Sequence, residues 1–137
     1  MRWIVFFVCF FLSVNLYARE LVIQTRENEL HFKTDIANTP ELQQRGLMFK
    51  KSIPLDYAMT FLFEKPSIIQ MWMKNTFIPL DMVFFDKTGT IVHLKENAVP
   101  HDLTTISSKV LAVGVIEMNA GLIEDKKIKI GDKIILK

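Results

Sequence analysis

Gln70–Asp86 reads QMWMKNTFIPLDMVFFD, and the rest of the chain is arranged around it. Two apolar runs of strand length flank a short polar insert, Lys74-Asn75-Thr76, which Pro79 and Asp81 close off. Strand alternation would send Trp72, Lys74 and Thr76 to one face and Met73, Asn75 and Phe77 to the other. Polar side chains set among such apolar neighbours need partners or water. They therefore stand at a strand end or line a site.

Working outward, the same strand-length rhythm recurs on both sides. Upstream, Glu20–Thr25 and Leu30–Lys33 read as strands joined by a turn at Arg26–Asn28. Thr39, Pro40, Glu41 and Gly46 carry the start and stop signals of a short helix over Pro40–Arg45. Met59–Phe63 reads as a strand stopped at Lys65-Pro66, and Ile68–Met73 as the next. Downstream, Leu80–Phe85 and Thr90–Lys95 flank the turn Asp86–Gly89. Asn97–Ser108 reads as a loop and Val110–Met118 as a central strand. Asn119 is placed to cap a second short helix ending near Glu124. Lys127–Ile130 and Lys133–Leu136 read as a last strand pair around Gly131-Asp132. The expectation is a mainly β, single-domain sandwich or barrel with two short helices.

Residues 1–18, MRWIVFFVCFFLSVNLYA, have the form of a secretory signal: Arg2, an apolar run from Trp3 to Leu12, and Ala18 before the expected cut. The run is shorter than the ~20 residues of a membrane span, which leaves a retained anchor as the lesser alternative to cleavage. The domain is then 19–137, periplasmic or secreted, with no membrane segment after cleavage. Cys9, the single cysteine, leaves with the signal, which excludes disulfides, thiolate zinc sites and cysteine nucleophiles. Removing Arg2 from 17 basic residues leaves them nearly balanced against 15 acidic ones. No basic run stands out, so nucleic acid is not an expected partner.

His31, His93 and His101 lack the spacing of a helical metal pair, and neither a nucleophile elbow nor a phosphate-cradling glycine loop is present. No metal or cofactor is expected. Thioethers such as those of Met71 and Met73 are ligands for a soft metal, but core filling is the commoner use of methionine and the expectation here.

Several short motifs occur in a fixed order: Arg45-Gly46-Leu47-Met48, Met59-x-Phe61-x-Phe63, Trp72-Met73-Lys74-Asn75-Thr76, Ile78-Pro79-Leu80-Asp81, Ile116–Gly121 and Ile130-Gly131-Asp132. In them the chain resembles the domain-of-unknown-function family number 192, over nearly all of residues 19–137. The resemblance implies a compact β domain with short helices and brings no established activity. Two positions depart from the family pattern. Ala58 stands where glycine is usual, and Lys50 where arginine is usual.

The candidate site is a cleft holding Trp72 as a stacking face and Lys74 and Asn75 as polar contacts, with Asp81 fixing Lys74. Arg45, Met48 and Glu117 form its second wall. The expected function is non-catalytic binding of a small ligand or an envelope component. The alternative is an envelope carbohydrate or peptidoglycan hydrolase with Asp81 and Glu117 as the acid/base pair, which needs carboxyls roughly 5 to 9.5 Å apart across a cleft. A purely structural or interaction protein is the third reading.

Overall fold

The computed structural model describes residues 19–137; the expected signal segment lies outside the described residues. Strands β1 (Arg19–Gln24) and β2 (Glu29–Ala37) form a hairpin, followed by helix α1 (Pro40–Arg45) and the long strand β3 (Tyr57–Met71). Then come β4 (Leu80–Phe85), β5 (Ile91–Ala98), β6 (Ile106–Asn119), helix α2 (Leu122–Asp125) and β7 (Lys133–Leu136). All seven strands join one sheet in the order β5-β4-β6-β3-β2-β1-β7.

The sheet curls into a half-barrel whose edges meet at one corner. Thr90 bridges Lys133. Ile91 N–H donates to the Asp132 carbonyl at 2.8 Å, and Ile134 N–H to that of Gly89 at 2.7 Å.

A simple meander would pair strands in chain order, and the sheet does not. β2 and β3 run parallel, Lys33 opposite Tyr57 through Ala37 opposite Phe61. Parallel neighbours need a long crossover, and residues 38–56 supply it, carrying α1 across one face of the sheet. That excursion later forms a wall of the candidate site.

Alternation splits the apolar residues between two cores. Leu21, Ile23, Phe32, Ala58, Val83, Phe85, Ile91, Ile116, Met118 and Ile134 pack with Leu122 and Ile123 of α2. Every strand contributes to this cluster, as befits the inside of the curl. The outer face buries Met59, Phe61, Ile69, Leu80, Met82, Phe84 and Val115 beneath Leu47 and Met73. A sheet covered on both faces explains why β4, LDMVFF, is buried at all six positions.

Four local expectations are corrected. Lys65-Pro66 does not end a strand. β3 runs through it because register slips there, from Leu62 opposite Gly114 to Ser67 opposite Ala112, and a bulge tolerates a proline that lacks an N–H. Only the middle of Asn97–Ser108 is loop, since β5 reaches Ala98 and β6 begins at Ile106. Lys127–Ile130 forms no strand; Ile128 N–H bonds back to the Ile123 carbonyl at 3.0 Å while its side chain joins the inner core. Asn119 does not cap α2, because its Nδ2 donates to the carbonyls of Ile53 and Pro54 at 3.0 and 3.1 Å. Asp81 takes over that task.

Candidate functional site

The outer face of the sheet holds a cavity of about 190 Å³ where three remote segments meet. The first is the end of α1 and the turn after it. Thr39 caps α1, accepting from Leu42 N–H, and Gly46 ends it at φ 45°, ψ −130°. A glycine suits this place twice over. The backbone conformation disfavours side chains, and a Cβ there would lie 3.1 Å from Phe61 Cζ and 3.7 Å from Glu117 Oε2. The chain passes close over the sheet, and Arg45, Leu47 and Met48 line the cavity as a result.

The second wall is the end of β3 and the insert that follows. Phe61, Phe63, Gln70 and Met71 lead to Trp72, Lys74 and Thr76. β3 ends at Met71, so the insert is a turn and the alternation expected across it does not apply. Thr76 N–H donates to the Met73 carbonyl at 3.2 Å and Thr76 Oγ1 to the Lys74 carbonyl at 3.1 Å. Asn75 takes a left-handed φ of 50°, which asparagine tolerates better than most residues. Its carbonyl accepts from Phe49 N–H at 2.9 Å, tying the insert to the segment after α1. Lys74 Nζ sits 5.1 Å from the centre of the Trp72 ring, a cation–π pair, and Trp72 remains 43% exposed.

Glu117 is the third contribution, in mid-strand on β6. It is opposite Met59 on β3 and Met82 on β4, both residues of the outer core, so its side chain rises on the cavity face. It is 4% exposed. Among the described residues no side chain bonds or pairs with it, and its carboxyl reaches the space of the cavity. Burial pushes its carboxyl up to about 8, so near neutral pH it is mostly the uncharged acid and offers an O–H donor.

Five of the seven expected site residues therefore share this cavity: Arg45, Met48, Trp72, Lys74 and Glu117. Asn75 does not line it, being held in the turn. Asp81 does not line it either, and it does not fix Lys74. It is fully buried and accepts three backbone N–H groups: Asn97 at 2.9 Å on Oδ1, and Gly121 and Ile123 at 3.0 and 2.9 Å on Oδ2. The last two open α2, whose own N-cap position, Gly121, has no side chain to offer. Asp81 is an N-cap supplied by a neighbouring strand. It faces the inner core, because its partner on β6 is Met118.

That placement overturns the acid/base pair. Asp81 and Glu117 stand on opposite faces of the sheet, and the cavity that Glu117 lines does not reach Asp81. Sequence inspection also missed cavity residues, among them Gln70, Phe61 and Phe63. The Met-x-Phe-x-Phe alternation could have signalled the two phenylalanines, since it puts Met59, Phe61 and Phe63 on one face.

Met73, Met82 and Met118 are fully buried core residues, while Met48 and Met71 line the cavity. No cluster of histidine, cysteine or carboxylate side chains able to hold a metal occurs among the described residues. A larger hollow of about 560 Å³ beside Leu30, Leu55 and Leu122 is bounded by His31, Asp56 and Asp125. These three are exposed, so that hollow lacks a buried polar group in want of a partner.

The chain belongs to the DUF192 family, described as "Uncharacterized ACR", whose model matches residues 21–136. Two solved structures are similar to it throughout. One is a protein of Sinorhizobium meliloti 1021 assigned provisionally as a transcription regulator, at 34% identity and TM-score 0.84, covering 88% of this chain and 95% of that one. The other is a protein of unknown function from Novosphingobium aromaticivorans DSM 12444, at 32% identity and TM-score 0.83, covering 85% of this chain and 83% of that one. No curated protein matches. Four of the six segments that carry the family resemblance, Arg45–Met48, Met59–Phe63, Trp72–Thr76 and Ile116–Gly121, contribute to the cavity lining.

Proposed function

We propose that this protein is an exported binding protein that takes a small ligand in the cavity between the end of α1, the Trp72–Thr76 turn and Glu117, without turning it over. The observation that carries the reading is Glu117, a nearly fully buried carboxyl that lines the cavity and has no protein partner among the described residues. No fully enclosed side-chain oxygen among the described residues lacks a partner, so the Glu117 carboxyl reaches the space of the cavity, and a ligand that accepts from its O–H takes the place of water there. Trp72 offers an exposed aromatic face at the rim, the role expected of a residue that stacks on a ligand. Binding without turnover fits the separation of the two carboxyls, since Glu117 has no second carboxylate from Asp81 to work with. The regulator name of the Sinorhizobium protein gains no support from the described residues, whose helices of 6 and 4 residues are too short to lay a recognition helix along a major groove.

The test is a chemically mixed small-molecule library screened against the whole protein by methyl NMR. Binders that shift the Met48 and Met71 methyl signals, and lose affinity when Trp72 is changed to Ala, support the reading. A library whose hits map to other surfaces, or that gives no hits, removes it.

A further inference from the structure

Resting on that reading, we infer that the cavity selects a small monocarboxylate with a flat or short aliphatic body, its carboxylate accepting from Glu117 and lying near Arg45 and Lys74. Three features of the cavity point to this class.

The first is charge. Arg45 and Lys74 are the exposed cationic side chains of its lining, and Glu117 is the acidic one, set on the sheet beneath the α1 turn with its carboxyl open only to the cavity. An ammonium ligand would face two cations at the entrance and would need Glu117 to ionise in its buried position. A carboxylate meets two cations and an O–H donor, and charge-assisted hydrogen bonds of that kind are about twice as strong as neutral ones.

Size comes second. An apolar cavity of about 150 Å³ admits benzene, so about 190 Å³ admits a ring or short chain bearing one carboxylate and little more. Sugars beyond one ring, peptides and nucleotides are too large to enter whole.

The third is the wall. Phe61, Phe63, Met48 and Met71 give part of the lining an apolar, adaptable surface, beside the amides of Gln43, Gln44 and Gln70. Bare inorganic anions would leave the apolar part uncovered, whereas a carboxylate with an apolar body covers it.

Binding of this kind depends on the protonation of Glu117. Arg45 from the end of α1 and Lys74 from the turn share the cavity lining with it, and Tyr57 at the start of β3, whose hydroxyl donates to Asp35 at 2.8 Å, is near enough to feel its charge. Burial and Asp35 hold that phenol well above its ordinary range, so it does not titrate in the same window. Its neighbour on β4, Met82, brings no charge. Once Glu117 ionises, two carboxylates would share the cavity, and the ligand is repelled.

The experiment is calorimetric titration of the whole protein with benzoate, benzamide and benzylamine between pH 6 and pH 9, repeated on Glu117→Gln. Benzoate is expected to bind at pH 6 at least tenfold more tightly than the other two. Its affinity should weaken by up to tenfold per pH unit above the Glu117 titration. Glu117→Gln keeps a donor but cannot ionise, so it should bind benzoate with an affinity that stays level across the range. Equal binding of benzamide or benzylamine overturns the carboxylate assignment while leaving the cavity a binding site. Failure of all three, beside library hits of other chemistry at Met48 and Met71, overturns the assignment alone. Identical pH profiles for the wild type and Glu117→Gln overturn the role given to Glu117.

Discussion

Asp81 and Glu117 are one position out of step across the β4–β6 pairing, Asp81 facing Met118 and Met82 facing Glu117. Two acids that a linear reading places in similar apolar strands consequently point to opposite faces of one sheet. Their environments are just as different. Asp81 meets three N–H donors, and Glu117 meets apolar walls and a cavity.

Asp81→Ala should strip the acceptor from the N–H groups of Asn97, Gly121 and Ile123 together. With each orphaned buried donor costing about 1–3 kcal/mol, a loss on the order of 3–5 kcal/mol is expected in urea unfolding. Asp81→Asn keeps one acceptor oxygen and should lose less. Ligand hits at the cavity should be unaffected wherever the variant is folded. Unfolding midpoints equal to the wild type would show that the cap is not needed.

Glu117 makes stability fall as pH rises. Its carboxyl titrates near 4.5 when unfolded and at about 8 when folded. Between those values the folded protein holds a proton that the unfolded chain has released. Stability contributed by this group is therefore fully present below about 4.5 and is lost as pH climbs toward 8, by up to ~1.4 kcal/mol per unit. Glu117→Gln should flatten this part of the profile, as read from unfolding curves at several pH values. A wild-type profile that already rises or stays flat through this window contradicts a neutral Glu117.

Gly46→Ala is expected to do two things at once. The left-handed backbone and the close approach to Phe61 should cost about 1–2 kcal/mol of stability. The added methyl also sits beside Glu117 Oε2, so any cavity ligand should bind more weakly. Thermal melts and ligand titration of the same preparation separate the two effects. Unchanged affinity in a destabilised protein would place the ligand away from Glu117.

Ser108 holds a second register slip in the β3–β6 pairing. Buried and at φ-strained Lys109's shoulder, it accepts from Ile69 N–H at 2.9 Å and donates to the Val110 carbonyl at 2.7 Å. Ser108→Ala should cost about 1–3 kcal/mol by orphaning both backbone groups. Hydrogen exchange at Ile69 should speed up with it. If exchange there is unchanged, another acceptor has replaced the hydroxyl.

What the chain settles by itself is local. Strand-length apolar runs, the capped hexapeptide Pro40–Arg45 and the turn at Asp86–Gly89 are legible because they depend on neighbours a few residues away. The family motifs contain Arg45, Met48, Trp72, Lys74 and Glu117, which meet at the cavity, and equally Asn75 and Asp81, which do not line it. Tertiary structure decided the rest. Pro66 reads as a stop because proline lacks an N–H, and only the β3–β6 register shows that a bulge absorbs it. Whether β2 lies beside β3, and in which direction, depends on a crossover whose path no local pattern records. Above all, the role of a buried carboxylate depends on strand register, and a shift of one position reverses the face. Asp81 and Glu117 look alike in sequence because side-chain chemistry is local. One became a helix cap and the other the floor of a cavity because partners are supplied by strands and loops remote in the chain.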